Sequence, residues 1–300
     1  MLKIAYHPIF KHNLPLGHRF PMSKYELLHQ QLLHEGTCVA ENFFTPSVPA
    51  HEFILDVHTE EYVNDLRNLT LDQRAARKIG FPLSEKLVER EYVITQGTIE
   101  ASEYALQHGI AMNIAGGTHH AFTNWGEAFC LFNDQAIGAR SLQKKNLAQK
   151  ILIIDLDVHQ GNGTAQIFQN DDSVFTFSMH GATNYPFKKE ESDLDIALPD
   201  GTNDEEFLKN LKTTLPSLLK EVQPDFAFYL SGVDILASDK LGKLSCTMEG
   251  CRERDRFVLQ SCHDAKIPVE VSMGGGYSPK IKTIIEAHAN TYRVAQEIYF

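Results

Sequence analysis

Apolar positions along the chain fall into short continuous runs separated by longer stretches with helical spacing. Runs at 3–6, 38–42, 110–115, 151–158, 174–179, 226–231 and 269–273 predict strands. Between them, the spacing predicts helices over 23–33, 59–69, 89–107, 131–144, 204–222, 248–265 and 280–299. Strand and helix alternate with no Pro/Ser-rich linker, internal repeat or low-complexity tract. This pattern predicts a single α/β domain over residues 1–300, with a mainly parallel sheet covered by helices on both faces.

A parallel sheet carries its site at the C-terminal ends of its strands. Five polar clusters lie at those expected ends: GGTHH, DLDVH, SMH, SGVD and GGGY. In the second, an apolar run beginning at Ile151 continues into Asp155, Leu156, Asp157, Val158 and His159. If the strand persists, alternation turns Asp155, Asp157 and His159 to one side. Ionised groups are costly to bury unless paired or bound to a metal. Asp157 and His159 can reach a common point, and Asp234 in SGVD is the natural third ligand. Two carboxylates and an imidazole suit a catalytic zinc with one open position, and equally manganese or iron(II). Taken alone, Asp157 also fits a carboxylate capping the turn at 161–163, and Asp234 an ordinary loop aspartate.

His119 and His120 follow Gly116 and Gly117, whose backbone freedom lets both rings turn inward. Histidine titrates near neutrality, so a pair beside a metal-bound water can divide the roles of base and acid. Asp155 is placed to orient one imidazole. Tyr277, after the glycines 274–276, is placed to hydrogen-bond a developing oxyanion.

Composition narrows the setting. The chain has 300 residues, 43% of them hydrophobic, with a formal net charge of -11, so nucleic acid is not an expected partner. No leader-like N-terminus and no apolar stretch of membrane-spanning length is evident, so no membrane partner is expected. Five cysteines without C-x-x-C spacing fit free thiols in a reducing cytoplasm. Oligomeric state is not legible.

The segments GGTHHAFTNWGEAFCLFND, IDLDVHQGNGTAQIF, FTFSMH, YLSGVD and VSMGGGY, in this order, resemble the histone deacetylase superfamily. That superfamily includes acetoin-utilisation proteins and acetylpolyamine amidohydrolases. The N-terminal YHPIF and LPLGHRFPMSKYELLHQQLL, with HQGNG, look most like its class IV branch and bacterial relatives. The resemblance runs from Tyr6 to about Tyr277.

It implies the arginase/deacetylase fold and one zinc held by Asp157, His159 and Asp234. It also implies a catalytic pair His119 and His120, with Asp155 and Asn162 as their partners, and a carbonyl-polarising Tyr277. A monovalent cation, expected to be potassium, would use Asp155, Asp157, His159, Ser178 and Met179. Phe129 resembles a wall of the acyl-lysine tunnel, and Gly275 is expected to line the substrate site. Arg19 resembles the arginine of an internal channel that receives released acetate. The substrate would be an acylated lysine in a protein or peptide, or an acylated small amine.

Two positions depart from the superfamily pattern. Asn162 stands where many members carry aspartate, a class IV feature, so His120 receives less help becoming imidazolium. The acidic loop residue that grips the substrate backbone has no counterpart around residues 78–86. Two other readings compete. A binuclear manganese ureohydrolase would need an acid where the chain has Gly161. A non-catalytic acyl-lysine reader would not need Tyr277.

Overall fold

The computed structural model describes residues 1–47 and 51–300. β-Branched and aliphatic residues at 151–154 build a strand buried at every position, the mark of a sheet covered on both faces. The strands are β1 (Lys3–Ala5), β2 (Phe43–Phe44), β3 (Ile110–Asn113), β4 (Ile151–Asp155), β5 (Val174–Gly181), β6 (Leu194–Leu198), β7 (Phe226–Leu230) and β8 (Val269–Ser272). They form one sheet in the order β2-β1-β3-β8-β7-β4-β5-β6. Neighbouring strands pair in parallel throughout.

The helices are α1 (Lys24–His34), α2 (His51–Leu55), α3 (Glu60–Asn68), α4 (Gln73–Ile79), α5 (Glu85–His108), α6 (Asp134–Lys144), α7 (Asn162–Phe168), α8 (Asp204–Val222), α9 (Met248–Ala265) and α10 (Ile281–Tyr299). Consecutive residues of β7 show both faces covered. Phe228 packs so closely on α6 that a Cβ at Gly138 would lie 2.9 Å from its ring. Tyr229 points the other way, and its hydroxyl donates to Asp255 Oδ1 of α9 at 2.6 Å. Among the described residues, no helix is long and apolar enough to cross a membrane.

Three sequence expectations need correction. Residues 38–42 are not a strand. Asn42 Oδ1 accepts from Val39 N at 2.7 Å and its Nδ2 donates to Leu2 O at 2.8 Å, folding the segment into a 3-10 turn (Ala40–Asn42) before the short β2. The strand expected over 151–158 stops at Asp155. There Asp155 Oδ1 accepts from Asp157 N at 3.1 Å and Asp157 Oδ1 from His159 N at 3.0 Å. Each carboxylate thus offers the backbone a local partner in place of the ladder. Finally, α2, α4, α7 and β6 have no counterpart among the expected elements. They are short, and their apolar residues are too few to show a period.

Candidate active site

Because the strands are parallel, their C-terminal ends share one edge, where four of the five polar clusters line a cavity of about 380 Å³ and SMH lies outside that lining. Past β4, the two side-chain-capped turns carry Asp157 and His159 inward. Past β7, Asp234 accepts from Val158 N at 3.0 Å, which locks the two loops together. Arg254 of α9 braces both from behind, donating to Leu156 O at 3.2 Å, Ser231 O at 3.2 Å and Gly232 O at 2.5 Å.

His159 Nδ1 lies 3.0 Å from Asp157 Oδ1 and 3.3 Å from Asp234 Oδ2. One ligand atom from each of the three residues falls within 4.8 Å of the others, and all three residues are buried. Burial and the Asp157 charge push the Asp234 carboxyl up to about 7. Burial works against the His159 imidazolium, but its contacts with Asp157 and Asp234 push it up to about 10. Two adjacent buried carboxylates thus draw positive charge to this point.

A divalent cation fits this set. His159 Nδ1 faces both carboxylates, and Asp234 Oδ2 is left buried without a hydrogen-bond partner among the described residues, a costly state unless an ion takes it up. Gly275 keeps the approach clear: a Cβ there would collide with Asp234 Oδ2 and lie 2.7 Å from Asp157 Oδ2. Gly275 N donates to Asp157 Oδ2 at 2.8 Å and so orients that carboxylate. The position a second metal would need an acid to occupy is closed. A Cβ at Gly161 would strike Asp155 Oδ2 and lie 3.3 Å from His119 Nδ1.

The loop after β3 is tied down by Asp134. Its Oδ1 accepts from Thr118 N at 2.8 Å, and its Oδ2 from Gly117 N at 3.2 Å and Thr98 Oγ1 at 2.7 Å. Gly117 has φ +74°, and a Cβ there would lie 2.9 Å from Gly274 Cα, so the two glycine loops pack backbone to backbone. This places the His119 and His120 rings 4.1 Å apart, centroid to centroid.

Their partners differ. His119 Nδ1 is 2.7 Å from Asp155 Oδ2, whereas His120 Nδ1 is 2.6 Å from the Asn162 amide oxygen. Burial disfavours the charged form of both rings. For His119 the Asp155 carboxylate more than offsets this, and the ring is held above its ordinary value. His120 has only a neutral amide and lies far below, with His119 and His159 adding to the effect of burial.

Tyr277 N donates to Asp239 Oδ2 at 2.6 Å, and its ring packs 6.2 Å from Phe129 and 6.0 Å from Phe20. Burial raises its phenol well above the ordinary value, so the group stays a donor. Phe129 forms the opposite wall. Ala128 and Phe129 have φ values of +48° and +71°, a conformation costing roughly 1–3 kcal/mol each. Bonds from Ala128 N to Lys78 O at 2.9 Å and from Phe129 N to Ile79 O at 2.7 Å hold it.

Ser178, on β5, pairs in register with Asp155, and Met179 is buried beside it. The Ser178 hydroxyl lies 2.9 Å from His180 Nδ1. Arg19 departs from the expected internal channel: it is exposed at the cavity mouth, its guanidinium 4.9 Å from the Phe129 ring centroid. Besides Arg254, the buried cations near the site among the described residues are Arg90, which lines the cavity, and Lys24, whose Nζ donates to Gly274 O at 2.8 Å. Burial pushes Lys24 down to about 8.

Lys24, Arg90, Asp134, Asp239 and Glu127 were not among the sequence candidates. A buried charge on an otherwise apolar helix face, as at Lys24 and Arg90, was the available signal. Glu127 carried none. Tyr185 also lies against the site: its ring is edge-on to His120 at 5.1 Å.

The histone deacetylase domain model matches residues 18–292. An uncharacterized protein of Picosynechococcus sp. is 45% identical over 99% of both chains. Histone deacetylase 2 of Arabidopsis thaliana is 28% identical, covering 89% of this chain and 72% of that protein. The crystal structure of an HDAC homolog complexed with SAHA superposes with a TM-score of 0.85 at 28% identity, over 99% of this chain and 84% of that one. The fold is therefore the arginase/deacetylase fold, and by its sequence and its architecture this chain belongs to the histone deacetylase family.

Proposed function

We propose that the protein is a zinc-dependent amidohydrolase that removes an acyl group from the side-chain nitrogen of an acylated lysine. The observation that carries this reading is the convergence of three metal-ligand atoms, two histidines with unlike partners and the Tyr277 phenol on one cavity. The ligands would be Asp157, His159 and Asp234. Bound there, zinc supplies Lewis-acid polarisation of the scissile carbonyl and lowers the pKa of a water towards about 7.

The rest is done by the chain's own side chains. His120, neutral and donating through Nδ1 to Asn162, presents the Nε2 lone pair to take a proton from the attacking water. His119, favoured as imidazolium by Asp155, gives a proton to the leaving nitrogen. The Tyr277 hydroxyl donates to the developing oxyanion, a contribution of about 3 kcal/mol for such a donor. Carboxylate and amine leave, and proton exchange with solvent resets the pair. Phe129 and Tyr277 form aromatic walls for the aliphatic part of the substrate. A structural potassium ion at Asp155, Asp157, His159, Ser178 and Met179, and a cytoplasmic setting with all five cysteines free, belong to the same reading.

Charge at the mouth favours acyl-lysine over an acylated polyamine. Among the described lining residues the carboxylates are Asp157 and Asp234, at the metal centre, while the exposed cations at the mouth are Arg19, Lys78 and Lys243. A polycationic amine would meet like charge there. The closed position at Gly161 weighs against a two-metal ureohydrolase, and Tyr277 in the cavity against a reader without catalysis.

The test is acyl release by the zinc-loaded protein from acetyl-, octanoyl- and myristoyl-lysine peptides beside acetylated polyamines. Turnover that collapses in Tyr277→Phe supports the amidohydrolase. Tight binding of an acyl-lysine peptide with no release would replace it with the reader.

A further inference from the structure

Asn162 is an amide, and an amide can face a histidine in two ways. With its oxygen towards His120 Nδ1 it accepts a proton there and leaves Nε2 with a lone pair. Turned over, it presents N–H groups to Nδ1, which forces the ring proton onto Nε2 and removes the base. The amide alone does not choose between these arrangements. Its other end does.

Asn162 Nδ2 donates to Glu127 Oε1 at 2.8 Å, and the Tyr185 hydroxyl donates to the same oxygen at 2.5 Å. A carboxylate accepts and cannot donate, so a flipped Asn162 would set its own oxygen against Glu127. The chain Glu127–Asn162–His120 therefore has one consistent direction: amide N–H towards the carboxylate, amide oxygen towards His120 Nδ1–H, Nε2 free. Tyr185 holds the far end, with its ring edge-on to His120 at 84°. Glu127 sits at the start of a fixed segment, because the backbone after it is bound to residues 78 and 79. Glu127 reaches no reacting atom.

We propose that Glu127 is a positioning residue that sets the tautomer of His120 through Asn162, supplying one hydrogen bond further along the carboxylate that Asn162 itself lacks. The assignment rests on the hydrolase reading for its catalytic consequence, but the tautomer is measurable without turnover.

The experiment uses Glu127→Gln, Asn162→Asp and the double variant. In Glu127→Gln the new amide can donate as well as accept, so it no longer forbids the flipped Asn162. In Asn162→Asp two carboxylates come together and the donor between them is lost. The double variant restores a consistent chain with its direction of donation reversed. Its amide, now at position 127, can donate to the carboxylate at position 162, while that carboxylate accepts from His120. We expect each single change to lower kcat by about 10-fold with KM little altered, and the double variant to recover most of the loss. Simple multiplication of the two losses would overturn the proposal.

¹⁵N chemical shifts of His120 in the metal-free full-length protein give the second readout. The Nδ1–H form should dominate in the wild type, and Glu127→Gln should move population to Nε2–H. A shift pattern unchanged by Glu127→Gln would also overturn it. A wild-type protein that hydrolyses no acylated amine would sink the functional reading, while the ¹⁵N result would still decide the role of Glu127.

Discussion

His119 Nδ1 lies 2.7 Å from the Asp155 carboxylate, while its neighbour His120, 4.1 Å away, faces only an amide. Two adjacent imidazoles are thereby given opposite tendencies within one buried site. Removing the charge but not the shape of the partner isolates this effect. Asp155→Asn should lower kcat by about 100-fold, the scale of one general acid or base, with zinc content unchanged. Steady-state kinetics with elemental analysis of the same preparation checks this, and an undiminished kcat would remove Asp155 from the mechanism.

Gly275 tests the metal centre without replacing a ligand. Its Cα faces Asp234 Oδ2, where a methyl group has no room. Gly275→Ala should displace that carboxylate and weaken zinc binding by at least about 10-fold in competition with a chromogenic chelator. Zinc should raise the melting temperature of the wild type more than that of Gly275→Ala, because a ligand bound to the folded state stabilises it by mass action. Equal zinc affinity in the two proteins would contradict the site.

The cations at the cavity mouth predict a charge rule for substrates. Arg19 and Lys78 stand over the Phe129 and Trp125 rings, 4.9 and 5.5 Å from their centroids, and neither forms an ion pair among the described residues. Acetyl-lysine peptides with acidic flanks should have higher kcat/KM than those with basic flanks, and the gap should narrow as salt is raised. The double variant Arg19→Glu, Lys78→Glu should invert the preference. Flank-independent rates at low salt would show that the rim does not read substrate charge.

A stability prediction concerns α1 and α10. Arg293 donates to Glu35 at 2.6 Å and to Glu286 at 2.7 Å. Burial alone would raise Glu35, but its bonds from Arg293 and Thr37 reverse this, and Glu286 is lowered mainly by its bond to Arg293. Both carboxyls thus bind protons more weakly when folded, with an ordinary value of 4.5. Their contribution is fully present above that value and is lost as pH falls through the lower folded values. For these partly exposed pairs the total is about 1 kcal/mol. Urea titrations at pH 7 and pH 3 should show Arg293→Met costing that much at the higher pH and almost nothing at the lower. An equal cost at both would assign the effect to packing.

How much of this could be read from the chain differs from residue to residue. The strand cores were plainest in β4 and β7, which run apolar over Ile151–Ile154 and Phe226–Leu230, whereas β5 and β8 interrupt their runs with the buried Thr176 and Glu270. The partners His119–Asp155 and His120–Asn162 were legible as pairs through the superfamily motifs. Strand alternation is not what brings Asp155, Asp157 and His159 together. They meet through two turns capped by their own carboxylates, since β4 ends at Asp155.

What the sequence by itself determined is the order of the longer strands and helices and the kinds of atom available for chemistry. Both depend on local pattern: apolar run length, helical spacing, and which side chains can ligate or transfer a proton. Only the tertiary structure decided which way Asn162 faces, that Arg19 is outside while Lys24 and Arg90 are within, and that Glu127 stands behind His120. Those outcomes turn on contacts between residues far apart in the chain. Asn162 and Glu127 are 35 positions apart, and Lys24 meets Gly274 across 250. A hydrogen bond acts over about 3 Å, so no local pattern records it, and it exists only once the sheet has brought the loops to one edge.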